Sequence, residues 1–205
     1  MSLRSAASVL AIVTSISASA SAALYVTPSN AIFDTLVSSL NCTSYVETFG
    51  STPSGFLASG YSSSTGPVNW SAVATGDLYV DGGFFSTNMP GQMLTFNFSA
   101  PGLDIQAVGG NFFATDIDFT PMPAIVVVTL DDGTSYVNMT TIDQSFVGFV
   151  STTASISSIS LSLPVNGDLY ATVDRMIFGV SGVVPAPSAL ALFGLAGLAG
   201  RRRSR

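Results

Sequence analysis

From Tyr45 onward the chain is a succession of short runs rich in Val, Ile, Phe, Tyr and Thr, cut by Gly, Pro or Asp every ~8–12 residues. Runs that short are too brief for stable helices, whereas β-branched and aromatic side chains pack well on a pleated surface. The pattern predicts an all-β fold, a sandwich or jelly roll built from many short strands. The clearest pair is Ala124 to Leu130 with Thr134 to Met139, joined by Asp131-Asp132-Gly133, whose Asp-Gly supplies the positive backbone angles of a tight hairpin. Ile125-Val126-Val127-Val128 is apolar without alternation, which predicts a strand that is covered on both faces or lies centrally. Further strands are expected at Gln92 to Phe98, Ile105 to Val108, Asn111 to Phe119, Ser145 to Val150, Ser155 to Leu163 and Ala171 to Val180. One helix precedes them: Ser29-Asn30 followed by Ile32, Phe33, Leu36, Val37 and Leu40 has a cap and apolar spacings of three and four, near residues 30–40.

Charge narrows the function. The chain has twelve acids, six bases and no His. The bases are all Arg, and five of them sit at the ends, so the middle carries its acids against the single base Arg175. A chain that is 47% hydrophobic can still bury a core, so low charge here does not mean disorder. Without a basic face, nucleic-acid binding by phosphate neutralisation is excluded. Without His or Lys, so are His-based triads, Schiff bases and phosphate-loop lysines, which argues for a non-enzymatic protein.

Both ends read as addresses. Residues 1–22 have the parts of a secretory signal peptide: Arg4, the apolar stretch Val9 to Ile16, and Ala18-Ser19-Ala20-Ser21-Ala22 before a cut after Ala22. At the far end, beyond a secreted domain of residues 23–182, the tail 183–205 carries Val184-Pro185-Ala186-Pro187-Ser188. An apolar helix at 189–200 follows, then Arg201, Arg202, Arg203, Ser204 and Arg205. As a helix the apolar run rises roughly 18 Å, short of a hydrocarbon core of about 30 Å. The Arg cluster holds its far end in the cytoplasm.

This tail resembles the PEP-CTERM sorting signal of Gram-negative and related bacteria, with Ala186 where that motif has Glu. The resemblance implies recognition by the membrane protease exosortase, transient anchoring in the inner membrane, and delivery to the cell surface or extracellular matrix among exopolysaccharides. The body is similar to secreted domains that carry such tails. The similarity rests on Val46-Glu47-Thr48-Phe49, the Gly-rich Phe-Phe segment from Gly109, Phe146-Val147-Gly148-Phe149 and Val173-Asp174-Arg175-Met176-Ile177. It implies a galactose-binding-like jelly roll.

Three groups of residues could carry chemistry. Glu47 on an early strand and Asp174 on the last strand could hold a structural calcium ion, because first and last strands are often neighbours and paired hard oxygen ligands suit that ion. Trp70 beside Asn69, with Tyr61 and Tyr79, suits a glycan-contact surface; the same rings also suit a sandwich core. Asp116 and Asp118, on one face of an expected strand, could act as a glycosidase pair or simply line a wet face. Cys42 has no partner within the chain and reads as a small buried residue. An internal echo, Gly76-Asp77-Leu78-Tyr79 and Gly167-Asp168-Leu169-Tyr170, is too irregular to define a repeat fold. The leading expectation is a non-enzymatic, exopolysaccharide-associated surface protein. A carboxylate-based carbohydrate-active enzyme and a calcium-dependent adhesion or glycan-binding module are the alternatives.

Overall fold

The computed structural model describes residues 23–58, 60–141, 145–165 and 167–182; the expected signal peptide and sorting tail lie outside these residues. The described chain is one helix and fifteen strands in two antiparallel sheets.

The first sheet is built on two long partners, β9 (Leu103–Thr115) and β15 (Tyr170–Gly182), paired along their whole length. Beside β9 lie β13 (Phe146–Ser151), then β1 (Leu24–Thr27), with β10 (Pro121–Met122) at the end of β9. Beside β15 lie β2 (Thr43–Glu47) and, further along, β7 (Phe84–Thr87), β6 (Leu78–Asp81) and β3 (Gly55–Leu57). The second sheet runs β12 (Ser135–Thr140), β11 (Ala124–Leu130), β14 (Ser158–Ser162), β8 (Leu94–Ser99), β5 (Val68–Ala74), β4 (Gly60–Thr65). The two sheets share one buried core that includes Phe49, Trp70, Phe85, Phe96, Phe112 and Phe149. Each such ring removed from water stabilises the fold by about 1.5–3 kcal/mol.

Helix α1 (Asn30–Ser39) starts where Ser29 caps it, the Ser29 hydroxyl accepting from the Ile32 N–H. Its buried face, Phe33 and Val37, packs on the outer side of the first sheet with Ala107, Val150 and Ile177. Glycines make the seat. Gly148 and Gly109 face each other across β13 and β9, and a Cβ on either would run into the Phe33 ring. A Cβ on Gly179 would come within 3.2 Å of Val37.

One expectation changes. The strands expected on either side of Gly109-Gly110 are one continuous strand, β9. Gly110 pairs with Met176, just beyond a bulge in β15 between Val173 and Arg175, and a side chain there would lie 2.5 Å from the Arg175 carbonyl oxygen. Of the two placements expected for Ile125 to Val128, β11 takes the interior one, between β12 and β14, and is not covered on both faces. That strand alternates, its inner residues buried and Ile125 exposed on the outer face. The hairpin itself forms as expected, with Gly133 at φ +84 and the Gly133 N–H donating to the Leu130 carbonyl at 3.1 Å.

Candidate functional site

Helix α1 covers only part of the outer face of the first sheet. Where it stops, the face opens into a cleft of about 470 Å³ at the ends of β6, β7, β9 and β15. Its floor is a chain of buried hydroxyls on three adjacent strands. Ser86 and Thr172 lie 3.0 Å apart, Thr172 and Thr115 2.9 Å apart, and Ser86 lies within 3.3 Å of the Ala171 carbonyl. Cross-strand pairing sets this line, since Thr172 lies opposite Ser86. Each hydroxyl thus has an internal partner, and burying them carries no unpaired-group penalty.

The walls are aromatic. Tyr79 lies opposite Ser86 in the ladder, and its ring meets Phe119 at 5.6 Å between centroids. Phe84 braces Phe119 at 6.3 Å and is itself held edge-on by Phe113 at 5.5 Å. Tyr170, opposite Thr115, closes the other side. β6 and β15 are both antiparallel to β7 and therefore run parallel to each other, so their tyrosines reach the same end of the same face. Tyr79 and Tyr170 are the last residues of the two echoed segments, a signal in the sequence by which Tyr170, not expected as a site residue, could have been found.

The rim is acidic. Asp81, Asp116 and Asp118 line the cleft, and none of its lining residues is basic. Asp116 and Asp118 do not sit on a strand as expected, because β9 ends at Thr115 and the chain turns back to β10. Asp116 holds that turn, its Oδ1 accepting the Asp118 N–H at 3.0 Å and the Thr120 N–H at 2.9 Å. Phe119 takes φ +59 there, an uncommon conformation for a bulky residue, with its ring against Tyr79 and Phe84. Such an acidic, ring-walled cleft repels anions. Its surfaces match the chemistry of uncharged polyols, whose C–H faces stack on rings and whose hydroxyls bond carboxylates and amides.

The other expected site residues lie elsewhere. Trp70 is 3% exposed and is a core ring, packed on Phe49, Phe85 and Phe96. Tyr61 is half-buried against Trp70 and Phe85. Only Tyr79 of that trio reaches the cleft. Glu47 lies opposite Met176 and so faces the core between the sheets. Its carboxylate accepts the Phe49 N–H at 2.7 Å, the Thr65 hydroxyl and the Trp70 indole N–H. Asp174 is the extra residue of the β15 bulge and faces the other way, accepting from Asn111 Nδ2 at 2.8 Å. Asn111 lies opposite Phe146, which packs on Phe33, so that side is the helix-covered face. Adjacent strands do carry Glu47 and Asp174, but the bulge resets alternation and separates the carboxylates onto opposite faces of the sheet. Among the described residues no group of three or more acidic or thiol side chains converges as a metal centre.

Comparison with protein-family models, with curated proteins and with solved structures gives no match to this chain. Function therefore rests on the site itself.

Proposed function

We propose that this chain is an exported bacterial surface or matrix protein that binds neutral saccharide without turning it over. In this account an exosortase-type protease sorts it by its tail, and the body is a galactose-binding-like jelly roll associated with exopolysaccharide. The observation that carries the binding step is the cleft: tyrosine and phenylalanine walls over a hydroxyl floor, with carboxylates on the rim and no base. Chains of neutral sugar offer the two surfaces this cleft matches, apolar C–H faces and hydroxyl edges. Against turnover by an Asp116–Asp118 pair stands the Asp116 carboxylate, whose Oδ1 is engaged in holding its own turn. The test is a glycan array with and without chelator. Binding of neutral glycans that survives chelation and is lost in Tyr79→Ala supports the proposal. Chelator-sensitive binding favours the calcium-dependent module, and release of reducing sugar favours the enzyme.

A further inference from the structure

The opposite side of the sandwich has a different chemistry. None of the residues in the six strands of the second sheet is charged, although the body as a whole is acidic. Exposed sheet faces ordinarily carry Lys, Glu or Arg to keep the protein soluble and to discourage stacking. On β4, β5, β8 and β14 the outward positions are mostly hydroxyls and amides in register, whereas β11 and β12 expose Ile125, Val137 and Met139 on the same face. Ser62, Ser71, Asn97 and Ser158 stand side by side across four strands, roughly 4.8 Å from neighbour to neighbour. In the next row Thr95 bonds Ser160 and Thr129 bonds Ser135, each at 2.9 Å, which fixes those hydroxyls. The side chains of Asn69, Ser71 and Asn97 have no such partner among the described residues, and they border an open trough of about 550 Å³. Exposed Val73, two residues along β5 from Ser71 on the same face, adds apolar contact.

We infer that this face is a second glycan-binding surface, taking a long uncharged polysaccharide laid flat across the strands. It extends the saccharide proposal above and shares its premise of a neutral glycan partner, but it uses none of the cleft's residues. Charge selects the occupant: with neither acid nor base on the strands, the face attracts no ionic partner, while an uncharged polyol can meet every free hydroxyl and amide. Without an exposed ring, each sugar contributes little. Affinity therefore comes from many contacts along one chain, so polymer binds and short oligosaccharide does not. With the cleft on one outer face and this surface on the other, a single domain bridges two polymer strands.

The experiment is co-sedimentation of the full chain with three insoluble neutral polymers, swollen cellulose, cross-linked dextran and agarose. Asn97→Asp, the double variant Asn69→Ala/Ser71→Ala, and the cleft variant Tyr79→Ala are compared with the wild type, with thermal melts confirming that each is folded. The expected result is retention on at least one polymer, lowered at least fivefold by both face variants and retained by Tyr79→Ala, while the face variants leave binding on the neutral glycan array unchanged. Loss of array binding alone would sink the cleft and leave the face standing. Wild type that stays in solution with all three polymers, or face variants that sediment like wild type, would overturn the inference. So would sedimentation velocity showing a wild-type dimer that Asn97→Asp dissociates, because the face would then be covered by a second copy of the chain.

Discussion

Glu47 and Trp70 tie the two sheets together through a polar contact inside the core: the indole Nε1 on β5 donates to Glu47 Oε2 on β2 at 3.2 Å. The chain's single Glu therefore has a structural task, its carboxylate completed by the Phe49 N–H and the Thr65 hydroxyl. A buried carboxylate is tolerated only when its oxygens are occupied in this way. Glu47→Gln turns one acceptor oxygen into an NH₂ that faces donors. The expected cost is about 1.5–3 kcal/mol, the range for hydrogen bonds to charged groups, read as a lower urea midpoint at unchanged m-value. A midpoint equal to wild type would show that the cluster does not hold the sheets together.

Phe33 and Gly148 form a second dependency. The helix can lie on the sheet only because β13 presents no side chain under the Phe33 ring. Gly148→Ala should destabilise by about 1–3 kcal/mol, the usual cost of overpacking. Adding Phe33→Ala should make the two changes strongly non-additive, since the clash disappears with the ring. Simple additivity in a double-mutant cycle would place the strain elsewhere.

Cys42 tests burial chemically. Burial raises the thiol above its ordinary pKa. The side chain is half-buried, with Sγ 3.6 Å from Gln106 Oε1. Because the thiolate is the nucleophile, a raised pKa means less thiolate at any fixed pH below it. Alkylation by iodoacetamide at pH 8 should run several-fold slower in the native protein than in urea. Equal rates in the two states would contradict this placement.

Processing gives a fourth expectation. Intact mass of the native protein should correspond to a chain beginning at Ala23 and lacking the Arg-rich end. A mass that retains residues 1–22 or the terminal arginines would remove export, or tail cutting, from the account.

Local signals in the sequence were sufficient for some elements and misleading for others. Helix α1 was legible because a capping Ser and a three-four apolar spacing act within one turn. The β11–β12 hairpin was legible because Asp-Gly fixes its turn. Gly109-Gly110 looked like a break and is the middle of the longest strand pair, because its cause is the Phe33 ring and the Arg175 carbonyl, both distant in sequence. Glu47 and Asp174 were correctly expected on neighbouring strands. Their divergence depends on a one-residue bulge that leaves no local mark in the composition. Of the cleft, Tyr79, Asp116 and Asp118 were legible as residue types suited to a saccharide; Ser86, Thr115 and Thr172 joined it through ladder register, and Phe119 through the turn after β9.

The central claim is that the cleft of Tyr79, Phe119 and Tyr170 receives an uncharged saccharide. Its most direct measurement is calorimetric titration of the best neutral array ligand into wild type and Tyr79→Ala. The account predicts saturable binding to wild type, weakened at least about tenfold in the variant, a loss of roughly 1.4 kcal/mol. Equal affinity for the two proteins, or no heat from any neutral glycan, would contradict it.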